Sequence, residues 1–250
     1  MDKTSLGDRM KGYEAVSQNI LLKRTPVIIR VDGKAFHTFT KGIETNEDSP
    51  FSDIMADCMG AAAAYLTHHC QCAVLSYTQS DEISVLFRDW DQFHTQQWFG
   101  GKVQKMVSVS AAMATTAFYA RYEHLVGTIE YTPHRPLFDS RIFNVPHSEV
   151  VNYFVWRQKD AMRNSVNMFG QHHFSHKELQ GKNIDEVKHM LLVKGIDWSD
   201  LPVYQQRGFC INKTAPYSSQ APQPDLNIPV FTEDRNYIER WLDGDFNGES

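Results

Sequence analysis

The stretch Ala73-Val74-Leu75-Ser76-Tyr77-Thr78-Gln79-Ser80-Asp81-Glu82-Ile83-Ser84-Val85-Leu86-Phe87 decides the fold of this chain. Two short apolar runs, Ala73 to Tyr77 and Ile83 to Phe87, flank a polar tip, which is the pattern of an antiparallel β-hairpin. Working backwards, Pro26 starts another strand, Val27 to Val31, which Asp32-Gly33 ends. Before it, Met10, Tyr13, Val16, Ile20 and Leu21 recur at helical spacing, predicting a helix over residues 8–23. Between the strands lie a polar loop, Ile43 to Ser49, and an alanine-rich helix, Asp53 to Leu66, whose small side chains allow close packing on a sheet.

Working forwards, Met106, Val109, Met113, Ala117 and Tyr119 place another helix at about residues 99–125, and Arg141 to Val145 reads as a strand. A third long helix runs from Glu149 to about Ser165, with Ser148 as its N-cap. Residues 183–193 read as helical and Tyr204 to Asn212 as a strand. The segment Thr214 to Pro229, rich in Pro, Ser and Gln, reads as a linker or extended arm. Helix, strand, helix, hairpin, helix, strand fits an α/β (α+β) fold with helices over one face of a mostly antiparallel sheet. It does not fit a doubly wound parallel sheet.

Composition narrows the classes further. With 250 residues, 42% hydrophobic and 22% charged, the chain can bury a full core. No stretch of about 18 apolar residues is present, so a membrane span is not expected, and the N-terminal residues lack the apolar run of a secretory signal. The expectation is a cytoplasmic protein. Net charge of -5 argues against a broad basic surface and leaves only local contacts with nucleic acid. Cys70-Gln71-Cys72 has the wrong spacing for a redox pair or a zinc knuckle, so Cys58, Cys70, Cys72 and Cys210 are expected to be reduced structural thiols.

Asp32 and Asp81 stand at the ends of strands that could be neighbours. Two carboxylates so placed, with the Gly33 carbonyl, would suit magnesium, a hard ion that takes oxygen ligands together with substrate phosphates. Asp and Gly are equally ordinary turn residues, and on composition alone both roles stand open. The company of Asp32 favours chemistry: Lys34, Ala35, Phe36 and His37 follow at once, offering backbone N–H groups and cationic side chains to a triphosphate. Lys102 and Lys105, about one helical turn apart, could reach the same phosphates or simply line a solvated helix face. Arg157, Arg163, Lys177, Lys182 and Lys188, with Asn164 and Asn167 among them, make the most basic local stretch, either an RNA-backbone contact or a polar surface. His172, His173 and His176 lack the partners of a zinc site. Glu82 either tunes the metal site or caps the hairpin.

The strings Arg-Val-Asp-Gly-Lys-Ala-Phe-His at 30–37, Tyr-Thr-Gln-Ser-Asp-Glu-Ile-Ser at 77–84, Trp98-Phe99 with Lys102 and Lys105, Phe138-Asp139-Ser140-Arg141, and Trp156-Arg157-Gln158 with Asp160 resemble, in order, the tRNA-histidine guanylyltransferase (Thg1) superfamily. The resemblance covers roughly residues 13–212. It implies a polymerase-palm or nucleotidyl-cyclase-like core over 1–147, and a helical and extended C-terminal region, 148–250, packed on it as one structural unit. It implies an enzyme that adds nucleotides to the 5′ end of RNA in the 3′-to-5′ direction. By the same resemblance Asp32, Gly33 and Asp81 are magnesium ligands for two ions, residues 32–37 with Ser80 and Asp81 form the nucleotide-binding strip, and Lys102 and Lys105 touch the triphosphate or the 5′ end. ATP or GTP would serve as substrate and activator, tRNA as partner, and a homotetramer as the assembly.

One departure redirects the expected substrate. Where eukaryotic members carry His-Ile-Asn-Asn-Leu-Tyr-Asn, this chain has Met162-Arg163-Asn164-Ser165-Val166-Asn167-Met168. Met162 takes the histidine position, which resembles the Thg1-like proteins that extend truncated tRNA 5′ ends against a template strand. Guanylate addition to tRNA-His, a nucleotidyl cyclase using a similar aspartate pair, and a non-catalytic tRNA-binding protein are the alternatives.

Overall fold

A computed structural model describes residues 5–40, 50–127, 135–213 and 220–244. The hairpin is its centre: β2 (Ala73–Gln79) and β3 (Glu82–Phe87) are joined by Ser80 and Asp81. In chain order the elements are α1 (Leu6–Ala15), β1 (Val27–Lys34), α2 (Phe36–Thr40), α3 (Asp53–His69), β2, β3, α4 (Val103–Val126), β4 (Leu137–Asn144), α5 (Val150–His173), α6 (His176–Leu179), α7 (Ile184–Val193), α8 (Val203–Arg207), β5 (Phe209–Asn212), β6 (Gln223–Asp225) and α9 (Asn236–Asp243). The six strands form one sheet, ordered β4-β1-β3-β2-β5-β6, with every pairing antiparallel.

Both hairpin strands are buried along their whole length because each face of the sheet is covered. Side chains alternate across a strand. Thus Val27, Ile29, Val31, Ile83 and Val85 enter one core with α3 and α4. Ile28, Leu75, Tyr77 and Leu86 enter the other with α5 and α9. The expected helices over one face are α3 and α4, and the C-terminal region covers the opposite face while adding β5 and β6 to the sheet's edge. The alanines of α3 do what their size allows: Ala62 and Ala63 are fully buried, with Ala114 of α4 in the same cluster.

Several boundaries differ from expectation for identifiable reasons. The first helix ends at Ala15 and buries none of its residues, because the chain beyond it runs extended: Leu21 donates to the Gly101 carbonyl and Val103 to that of Asn19. α4 starts at Val103 instead of Phe99, since Phe99, Gly100 and Gly101 have φ of 49°, 62° and 74°, incompatible with a right-handed helix. α5 runs on to His173, and a short turn over His147–Glu149 replaces a Ser148 cap. The segment read as strand from Tyr204 is first a helical turn, α8. Gly208 at φ 78° then redirects the chain into β5, and a Cβ there would lie 2.5 Å from the Thr78 carbonyl oxygen. Within the proposed arm, 223–225 form β6, while 214–219 lie outside the described residues, as does the loop 43–49.

Candidate active site

The site lies where β1 ends beside the hairpin tip. Asp32 is the cross-strand partner of Glu82 on one side and of Asp139 on the other. Gly33 donates its N–H to the Asp81 carbonyl oxygen at 2.9 Å, tying the two catalytic candidates together through the backbone. Ser80 and Ala35 hold the turns on either side in the left-handed region, at φ 50° and 55°, a cost characteristic of functional turns. Gly33 is required by packing: a Cβ would fall 2.3 Å from the Phe36 ring. That ring is buried against Phe118 and Phe138, with centroids 5.4 and 4.9 Å away.

The electrostatics mark a place for a cation. Burial pushes the Asp81 carboxyl above its ordinary value; its own backbone N–H opposes this, the charge of Asp32 raises it further, and the Ser80 hydroxyl opposes again. The nearest described cation to Asp32 is Arg141, at 3.7 Å, and Arg141 is held more closely by Asp139 at 3.0 Å. Glu82, the third carboxylate in the neighbourhood, is engaged elsewhere. Arg157 grips it with two hydrogen bonds of 2.7 Å, both side chains under a tenth exposed. Burial pushes the Glu82 carboxyl up, and Arg157 opposes that shift by hydrogen bonding and by charge. Among the described residues no cluster of three or more His, Cys, Asp or Glu side chains forms a ready metal cage. Two carboxylates and backbone oxygen nevertheless suit magnesium, which completes its shell with water and phosphate.

Beside the carboxylates opens a cleft of about 500 Å³. Ser80 and Asp81 form part of its rim, Phe51, Met55 and Phe209 give apolar walls, and Gln79, Asn164 and Gln205 bring amide groups from β2, α5 and the turn of α8. These linings had no motif in the sequence, because they converge from distant elements.

Not every expected site residue gathers here. Lys34 is exposed at the end of β1, and Phe36 faces the core beneath Gly33. The backbone of His37 lies in α2, and its side chain is outside the described residues. Lys102 and Lys105 begin α4, where Lys102 pairs with Ile20 and the Lys105 ammonium lies 4.5 Å from the Phe99 ring. Lys102 is the extended N-cap of α4, and Ser110, further along that helix, meets Ser140, the cross-strand partner of Val31, at 2.8 Å. Arg157 is internal, as described. Arg163, Asn164 and Lys177 are exposed, Arg163 pairing with Asp160. His172 and His176 are exposed as well.

Two aspartates at the end of an antiparallel sheet, one of them lining a cleft of nucleotide size, make an arrangement that a nucleotidyltransferase can use. Residues 7–146 match the family model described as Thg1, tRNAHis guanylyltransferase, and the chain belongs to that family. It is similar to a bacterial tRNA(His) guanylyltransferase (Thg1)-like protein solved in complex with ATP, at 40% identity and TM-score 0.86 over 95% of this chain and 99% of that one. A bacterial Thg1-like protein in complex with GTP matches at 37% identity and TM-score 0.78, with coverage of 95% and 99%. The crystal structure of the Saccharomyces cerevisiae tRNA(His) guanylyltransferase shares the fold at 20% identity and TM-score 0.70, covering 89% of this chain and 99% of that one. The likeness is therefore greater to the bacterial Thg1-like proteins than to the yeast enzyme. No helix among the described residues is long and apolar enough to cross a membrane.

Proposed function

We propose that this enzyme repairs truncated tRNA by template-dependent addition of nucleotides to the 5′ end, using ATP or GTP and magnesium. The observation that carries the reading is that Asp81, tied through its carbonyl to the Gly33 N–H beside Asp32, lines a nucleotide-sized cleft. Likeness to bacterial proteins bound to ATP and to GTP supports the choice of nucleotides. Met162 supports a templated reaction: in place of an imidazole it sets a thioether, half-buried against the Val166, Phe169 and Trp198 cluster.

Asp32, Asp81 and the Gly33 carbonyl would hold the magnesium, which when bound neutralises phosphate charge and activates the attacking oxygen. The chain's own groups do the rest. Phe51, Met55 and Phe209 exclude water from the base, the amides of Gln79, Asn164 and Gln205 meet its polar edge, and Lys34 adds positive charge beside the phosphates. The 5′-monophosphate of the RNA displaces pyrophosphate from the activating nucleotide. The 3′ hydroxyl of the incoming nucleotide then attacks the RNA's activated 5′ phosphorus, forming the phosphodiester and expelling the activating nucleotide as its monophosphate. Arg163 and Lys177, both exposed, would contact the RNA backbone, whereas Arg157 holds the hairpin tip from within. Lys102 and Lys105, at the start of α4, would meet the triphosphate or the RNA 5′ end.

A homotetramer in the cytoplasm completes the reading. Free, buried cysteines support a reducing compartment. Exposed Met10, Tyr13, Val16, Ile20 and Leu22 support burial of the N-terminal segment against another chain, which light scattering would test. The test of function supplies labelled tRNA lacking its first 5′ nucleotide, all four nucleoside triphosphates, and each of the four bases opposite the gap. Addition that follows the opposing base is expected. Guanylate regardless of that base would instead indicate tRNA-His guanylyltransferase activity, a cyclic product from ATP alone a cyclase, and RNA binding without addition a non-catalytic protein.

A further inference from the structure

Trp156 is the one tryptophan among the described residues with more than half of its surface in solvent, at 52%, while Trp98, Trp198 and Trp241 are each below 10%. It is not left there for want of a core. Its neighbours in α5, Phe154 and Arg157, both turn inward. One side of the indole is already supported: the Arg157 guanidinium lies 4.5 Å from the ring centroid and Tyr153 meets it edge-on at 5.9 Å. Both supports are themselves anchored, Arg157 on Glu82 and Tyr153 on the Ser84 hydroxyl at 2.8 Å. A flat aromatic held rigidly from below and open above binds another flat surface at little entropic cost.

Its position says which surface. α5 runs along the strands towards their catalytic end, from Phe154 packed with Ile28 and Leu86 to Arg157 bonded to Glu82, the cross-strand partner of Asp32. Asp32 and Arg141 share the sheet face that α5 covers, and Arg141 remains half-exposed. A guanidinium able to meet phosphate and an open indole thus lie on the same side of the sheet as a reacting carboxylate. The blunt end of an RNA duplex presents this combination, a flat base pair bordered by phosphates.

We propose that Trp156 is the platform on which the terminal base pair of the RNA acceptor end stacks, setting the 5′ end against Asp32 and Asp81. The inference rests on the functional reading above. Two measurements separate its failure from that of the reading. In the first, intrinsic fluorescence is followed as the full-length protein is titrated with a 5′-monophosphorylated blunt RNA hairpin, and with a dumbbell RNA closed by loops at both ends. Quenching by the hairpin but not by the dumbbell is expected, and it should vanish in Trp156→Phe. In the second, nucleotide addition is measured for Trp156→Ala and Trp156→Phe on the same hairpin shortened by one nucleotide at its 5′ end, so that one 3′-strand base is left as template. Trp156→Ala should raise KM for the hairpin roughly 5- to 150-fold, the range one stacked base supplies, with the loss in KM more than in kcat, and Trp156→Phe should restore most of it. Equal quenching by the dumbbell, quenching retained in Trp156→Phe, or an unchanged KM in Trp156→Ala would overturn the platform. If the wild type adds no nucleotide to any RNA, the functional reading fails, and the fluorescence arm alone decides whether a duplex end stacks here.

Discussion

Gly33 donates its backbone N–H to the carbonyl oxygen of Asp81 at 2.9 Å. This bond joins the end of β1 to the tip of the β2–β3 hairpin and so sets the spacing of the two aspartates without using either carboxylate. It also explains why a glycine follows Asp32, since the Phe36 ring occupies the space a side chain would need. Gly33→Ala should push Phe36 out of its contacts with Phe118 and Phe138. We expect a loss of about 1–3 kcal/mol in urea unfolding, the usual range for overpacking, with nucleotide addition lost beyond what the stability change explains. Wild-type activity in a folded Gly33→Ala protein would show that this spacing is not critical.

Asp81 is a partly buried carboxylate whose charge costs stability. Its carboxyl titrates above the ordinary value of 3.8 in the folded protein, so the folded state binds this proton more tightly than the unfolded state. Its contribution is therefore fully present below 3.8 and is lost as pH rises through the folded value. In metal-free protein, Asp81→Asn should raise Tm at neutral pH and flatten this part of the pH dependence, while abolishing nucleotide addition. A lower Tm for Asp81→Asn would contradict the assignment.

Magnesium should reverse that penalty. A cation held by Asp32 and Asp81 binds the folded state alone and stabilises it by mass action. Titrating magnesium into EDTA-treated wild type should raise Tm. Asp32→Asn and Asp81→Asn should each show little response, and a full response in both would place the ion elsewhere.

The Glu82 and Arg157 pair is nearly enclosed. Arg157→Met leaves a buried carboxylate without its partner and should cost about 3–5 kcal/mol, whereas Glu82→Gln with Arg157→Met should recover much of that loss. A double-mutant cycle by urea denaturation reads the coupling directly. Additive effects would mean that the two side chains are energetically independent.

The buried thiols should be inert in the native state. Burial pushes Cys58 and Cys70 up to about 12, far above the pH at which thiol reagents are used, so little thiolate is present. Ellman's reagent at pH 8 should react slowly with folded protein and with all four cysteines in denaturant. Fast native labelling of Cys58 or Cys70 would show that these sites open readily.

The hairpin, β1 and the alanine-rich helix were legible in the sequence because each is specified by neighbours within a few residues: alternation, a turn, a run of helix formers. Asp32 and Asp81 were legible for the same reason, each lying at a strand end visible in its own segment. Only the tertiary structure decided where side chains meet across long separations. Arg157, grouped with surface cations by its place in a basic stretch, reaches back 75 residues to Glu82. Lys102 and Lys105 were read as one helix face, but Gly100 and Gly101 delay the start of α4 to Val103, which leaves Lys102 extended and paired with Ile20. The cleft walls come from helices and strands whose order gives no sign of their convergence. Local pattern therefore determined the elements and the two strand-end aspartates, while the packing of α4 and α5 on opposite faces of one sheet decided which charges stand beside them.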